Sequence, residues 1–193
     1  NGMNLDITVN PDFSNVEVDN LVTNLTRFEV SLPEKRQFFI DNSDLFGSFG
    51  SEEDSNPFFS RRIGIALNLD DETIENGILG GIRLSGKLTE DWRLGLLNIQ
   101  TEKDEANHIP SNNNTVFALQ KKMFSRSNLS FIFVNRQTFD DYDFLDEIDR
   151  YNRVLGIDYN LASANNTWTG KFYYHKSFAH AMGNRDASGG VNL

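Results

Sequence analysis

The residues that could do chemistry are charged side chains crowded among aromatics in the first 62 positions. Asp12, Glu17 and Glu34 are the carboxylates best suited to acid–base work. Glycoside hydrolysis, however, needs two carboxyl groups at a defined separation, and a chain with 28 Asp and Glu residues supplies pairs by chance. No nucleophile–base set stands out from spacing. His108, His175 and His180 are unclustered, and the last two lie five positions apart instead of the four of a helical zinc pair. There is no cysteine, which excludes a disulfide framework, a zinc–thiolate site and a thiol nucleophile. The acidic run over residues 140–149 is rich in oxygen donors. It lacks the glycine and terminal glutamate of a helix–loop–helix calcium site, so it reads as a solvated loop that keeps the surface anionic. The sequence therefore assigns no catalytic residue, no metal ligand and no cofactor. What remains is a charge network to be positioned: Arg27, Glu29, Glu34, Lys35, Arg36, Arg61 and Arg62.

The elements that must position it are strands. Of 193 residues, 16 are Phe and 5 are Tyr, against 3 Met, a bias towards sheet over helix. Residues 5–9 and 16–19 alternate apolar and polar, as half-buried strands do. Residues 28–32 form a further strand candidate, ended by Pro33. Residues 34–39 suit one helical turn, because proline favours a first helical position. A polar loop fills 42–56.

From Ile63 the two-residue period becomes regular. Apolar side chains occupy 63, 65, 67 and 69. Residues 80–88 and 92–101 form a hairpin about Thr89, Glu90 and Asp91. A second hairpin joins 116–123 to 128–137, and a third joins 153–161 to 168–174. Short connections at 89–91, 124–127 and 162–166 alternate with long acidic ones at 70–76, 102–114 and 140–149. About seven strands are expected after Arg61. Residues 183–190, rich in glycine, read as a loop in which the chain stops without a closing strand, so it is expected to be a fragment of something longer.

The net charge is −10, which disfavours nucleic acid, because phosphate backbones require clustered Lys and Arg. It is equally unsuited to docking on anionic headgroups. No apolar run approaches the roughly 20 residues of a membrane helix. Strands of nine to eleven residues joined alternately by short and long connections fit an outer-membrane β-barrel. Trp92, Trp168, Tyr151 and Tyr174 near strand ends would form its interfacial girdle. A soluble antiparallel sandwich carries the same periodicity, and the pattern alone leaves both open.

Several strings resemble a known family of bacterial envelope proteins. They are Asn10-Pro11-Asp12-Phe13-Ser14 with Val16, Glu17 and Asp19; Asn24-Leu25-Thr26-Arg27-Phe28-Glu29; Pro33-Glu34-Lys35-Arg36-Gln37-Phe38-Phe39; and Phe58-Phe59-Ser60-Arg61-Arg62-Ile63-Gly64. Further on, Gly80-Gly81-Ile82-Arg83-Leu84-Ser85-Gly86-Lys87, Gly95-Leu96-Leu97-Asn98-Ile99-Gln100-Thr101, Ser125-Arg126-Ser127-Asn128 and Asn135-Arg136-Gln137 do so too. The family is common in the Bacteroidetes and is termed domain of unknown function 5916 (DUF5916). The resemblance implies a predicted outer-membrane barrel, often preceded by a module similar to family 9 carbohydrate-binding modules. It carries over no catalytic residues.

Together these readings favour an all-β fold of antiparallel hairpins forming part of a transmembrane β-barrel. Residues 1–62 would be a plug-like segment and residues 63–193 the barrel region. The plug is expected to fill the lumen or cap its mouth, pairing its charges with Arg83, Lys87 and Asp158, since buried charges need partners. The alternative is a solvated periplasmic surface. Expected partners are outer-membrane lipid and either carbohydrate or other envelope proteins. The expected role is solute or carbohydrate binding or passage, or service as a scaffold. A soluble periplasmic glycan-binding domain and a glycoside hydrolase are the alternatives.

Overall fold

A computed structural model describes residues 2–11, 34–51, 55–146, 149–179 and 186–192. The segments read as strands at 16–19 and 28–32 lie outside them, as do Asp12, Glu17, Arg27, Glu29 and His180. The fold is all-β and antiparallel. In chain order the elements are β1 (Gly2–Val9), α1 (Gln37–Ile40), α2 (Asp44–Gly47), a 3-10 turn (Ser60–Arg62), β2 (Ile65–Leu67), β3 (Thr73–Glu75), β4 (Ile78–Lys87), β5 (Trp92–Thr101), β6 (Asn113–Met123), β7 (Ser127–Gln137), β8 (Tyr151–Ala162), β9 (Thr169–Ala179) and β10 (Ala187–Asn192).

Eight strands form one sheet in the order β1-β4-β5-β6-β7-β8-β9-β10. The three expected hairpins are its centre, each strand pairing with the next in sequence. Consecutive pairing follows from the short connections, because an antiparallel return needs only a tight turn. Among the described residues the sheet does not close: β1 and β10 are its two outer strands. β2 and β3 make a separate two-stranded ribbon, so the alternation read over 63–69 yields only three strand residues there.

The chain's end departs from expectation. Residues 183–190 read as a loop, yet Ala187–Asn192 is a strand paired with β9. The reason is steric. A Cβ at Gly190 would sit 2.6 Å from the Tyr173 ring, so glycine is what lets β10 approach that ring. The composition that signals a turn here serves close packing. The helical turn after Pro33 falls at Gln37–Ile40, one to three residues later than its expected span.

Successive side chains in a strand point to opposite faces, and register extends each choice across the sheet. One face carries Arg83, Leu97, Val116, Val134 and Val154 in a single paired row. Residues 34–51 and 55–63 pack over this face. Phe39, Leu45, Phe46, Phe49, Phe58 and Ile63 meet Leu97, Ile99, Val116, Ala118 and Ile132 to form the core. A register shift between Ile78 and Gly80 turns Ile78 into the same core. Gly95 leaves room for the Phe46 ring.

The other face is apolar and exposed. Leu5, Leu84, Leu96, Phe117, Phe133 and Leu155 lie side by side across six strands. The adjoining row runs Leu94, Leu119, Phe131, Ile157 and Tyr174. Beyond it come Leu129, Tyr159, Phe172 and Val191. In the opposite direction Ile7 and Ile82 are followed by Asn98, Thr115, Asn135 and Arg153.

Candidate functional site

The inner face holds polar groups that a soluble core would rarely bury. Arg83 and Asp158 are each only 1% exposed. Charges so placed need close partners to offset desolvation. Arg83 on β4 donates to Asp6 Oδ2 on β1 at 2.8 Å and to the Asp41 carbonyl at 2.7 Å. Asp158 on β8 accepts the Gly50 N–H at 2.7 Å through Oδ2, with Lys171 Nζ 3.5 Å away. Lys171 itself donates to the Ser48 carbonyl at 2.7 Å. Two sheet strands therefore grip residues 48–50 of the overlying segment.

Next to this grip lies a chain of three side chains. His175 on β9 bonds Asp158 Oδ1 through Nε2 at 2.8 Å, and its Nδ1 lies 2.8 Å from Ser55 Oγ. In the tautomer with its proton on Nε2, His175 donates to the carboxylate and accepts the Ser55 hydroxyl. His175 is buried, whereas Ser55 is half-buried. Parity explains the meeting. Gly156 pairs with His175 and Asp158 with Tyr173, so the two side chains are diagonal neighbours on one face. Gly156 leaves space for the imidazole: a Cβ there would lie 2.7 Å from its Cδ2.

Ser55 and His175 also line a cleft of about 780 Å3 between residues 55–63 and the inner face of β6 to β10. Phe58, Val116 and Val154 give it an apolar wall, and Asn114, Arg136 and Asn152 a polar one. Arg62 and Asp186 line it as well. Asp186 Oδ2 is a buried oxygen without a hydrogen-bond partner among the described residues.

The residues singled out from the sequence fall into separate places. Glu34 and Arg36 join at 2.8 Å, and Ser60 Oγ donates to Glu34 Oε2 at 2.6 Å. Arg36 also donates to the carbonyls of Ile63 and Ser60 and lies over the Phe39 ring at 4.2 Å. This staple ties the start of the overlying segment to its end. Burial raises the Glu34 pKa, but hydrogen bonds from Arg36 and Ser60 outweigh it and hold the carboxyl below its usual 4.5. Lys35 is exposed, its backbone N–H donating to Glu34 Oε1; Arg61 is half-buried, and Arg62 borders the cleft. Lys87 is exposed. His108 stacks on Phe144 at 5.0 Å in the loop region, far in sequence from the other imidazoles. In the acidic run, Asp141 pairs with Arg150.

Sequence reasoning missed the Ser55–His175–Asp158 chain. Asp158 was legible as an inward charge, whereas His175 stood out only as an unclustered imidazole. The serine comes from a loop 120 residues away from the histidine, and no periodicity marks it.

An antiparallel, all-β sheet with one face covered and the other greasy is the class this architecture defines. A model of the family described as domain of unknown function (DUF5916) matches residues 1–145. The chain belongs to that family. The matched span contains β1 to β7, whereas β8 to β10, with Asp158 and His175, follow it. No curated protein and no solved structure matches the chain.

Proposed function

We propose that the chain is part of an outer-membrane β-barrel, with residues 34–51 and 55–63 serving as a plug-like cover over its lumen face. The observation that carries this reading is the exposed apolar belt and the way it drifts. Strands in a barrel tilt about 35–45° to its axis, so a belt perpendicular to that axis crosses successive strands at shifting register. The belt occupies Ile7 and Ile82 on β1 and β4, Leu96 and Phe117 on β5 and β6, and Phe172 and Val191 on β9 and β10. Its upper border is polar from β5 to β8, where Asn98 donates to Asn113 and Thr115 and Arg153 to Asn135 and Gln137. That border lies towards the long acidic connections, which in a barrel face outward. A water-facing sheet carries no such continuous apolar surface, because patches above a few hundred Å2 promote association.

The polar inner cleft supports a role in binding or passage of a hydrophilic solute, with carbohydrate the class its Asn, Arg and Asp lining suits. Membrane fractionation tests the reading. The full-length protein should resist a carbonate wash and come out only with detergent. Release by carbonate alone would remove it.

A further inference from the structure

We infer that Ser55, His175 and Asp158 form a nucleophilic site that cleaves acyl esters of polyhydroxy alcohols within the lumen-side cleft. Three observations converge. The two hydrogen bonds, both 2.8 Å, run in series from hydroxyl to imidazole to carboxylate, the order a nucleophile, its base and an orienting group require. The ring is used through the opposite nitrogens from the usual serine triad, which leaves the proton path intact because either nitrogen of an imidazole can accept while the other donates. The carboxylate is fixed independently: Gly50 N–H holds its second oxygen at 2.7 Å. Ser55 lines a cleft of about 780 Å3, a volume typical of small-molecule sites.

The reaction balances without an added oxidant or metal. Ser55 Oγ attacks the ester carbonyl carbon while its proton passes to His175 Nδ1, and the imidazolium is stabilised through Nε2–H by Asp158. The carbonyl oxygen becomes an oxyanion, for which Asn56 and Arg62, residues of the cleft lining, are the proposed donors. The C–O bond then breaks, and the alcohol leaves with the proton from Nδ1. Water, deprotonated by Nδ1, attacks the acyl–Ser55 ester, releases the acid and returns the proton to Oγ. The alcohol half is assigned by the lining. Asp186 Oδ2 is an acceptor without a partner among the described residues, and Asn114 and Asn152 flank the same space. These groups suit several hydroxyls on one molecule.

The test treats the full-length protein in detergent or vesicles with a fluorophosphonate probe and maps the adduct by mass spectrometry. The expected result is phosphonylation at Ser55, lost in Ser55→Ala and reduced roughly 100-fold or more in His175→Gln, the loss expected for removing a triad base. Hydrolysis of p-nitrophenyl acetate should fall in parallel. Ser55→Cys serves if the alanine variant does not fold: iodoacetamide should alkylate the introduced thiol faster than a free thiol at neutral pH, because His175 promotes the thiolate. An unlabelled Ser55 in folded protein overturns the proposal. So does labelling unaffected by His175→Gln, or a Ser55→Cys thiol no more reactive than cysteine in solution, since a purely structural tie would lower the melting temperature and leave those readouts alone.

Discussion

Ile157→Arg separates a lipid-facing belt from a wet one. Ile157 sits mid-strand on β8, 48% exposed, between Phe131 on β7 and Tyr174 on β9. It faces away from the core, so the new side chain meets no protein interior. On a water-exposed surface the exchange changes stability by no more than about 0.5 kcal/mol. In hydrocarbon near the bilayer midplane an arginine on a barrel's outer face costs about 2–4 kcal/mol, falling to about 0–1 near the interfaces. On the proposed barrel the central row position puts Ile157 at the costly end, a factor of roughly 30 to 1000 in the folding equilibrium. Ile132, fully buried on the opposite face, provides the control: Ile132→Ala should cost about 2–5 kcal/mol whatever surrounds the sheet. Urea unfolding of the protein in lipid vesicles, followed by tryptophan fluorescence, measures both. An Ile157→Arg variant within about 0.5 kcal/mol of the parent, beside a destabilised Ile132→Ala, would refute the reasoning.

Two further outcomes follow from the cover. Glu34→Gln removes the charge from a pair whose side chains are only 9% and 13% exposed, leaving Arg36 buried with a weakened partner; a loss of about 2–4 kcal/mol should appear as a lower melting temperature and faster proteolysis within residues 34–63. Because the folded Glu34 pKa lies below 4.5, its contribution is present above that pH and fades as the pH falls through the folded value, so acid should bring parent and variant together in a melting series. Gly95→Ala would set a Cβ 2.7 Å from the Phe46 ring tip. Overpacking of that kind should cost about 1–3 kcal/mol and displace α2, which hydrogen exchange at residues 44–47 would report.

The sheet was legible because its hairpins obey a local rule. In residues 80–88 with 92–101, 116–123 with 128–137 and 153–161 with 168–174, most alternate residues declare a face, and tight turns let neighbours in sequence pair. Where another force decides, the sequence was silent or misleading. β10 carries glycines that read as a loop, and one of them, Gly190, lies where a Cβ would meet the Tyr173 ring at 2.6 Å. β2 and β3 pair over only three residues each, where the alternation over 63–69 suggested a longer strand. The site was half legible. Asp158 was read as an inward charge, but His175 stood out only as an unclustered imidazole, and the meeting with Ser55 depends on how residues 48–51 and 55 lie across β8 and β9. Arg83 was read as a lumen charge, yet its partners Asp6 and Asp41 come from a strand 77 residues away and a loop 42 residues away. Such pairings are set by three-dimensional closure and leave no local pattern.

None of these 193 residues is cysteine, so a label can be placed at one chosen position within them once any cysteine elsewhere in the full-length protein is replaced. Single cysteines at Phe131, Ile157 and Tyr174 on the outer face, and at Ser130, Asn160 and Ser177 on the inner face, can each carry a nitroxide in the full-length protein reconstituted in vesicles. Collision with oxygen, which concentrates in hydrocarbon, is compared with collision with a nickel chelate, which stays in water. The account predicts oxygen-dominated relaxation at the three outer positions and not at the inner ones. Equal or greater access of the nickel chelate to Phe131, Ile157 and Tyr174 would contradict it.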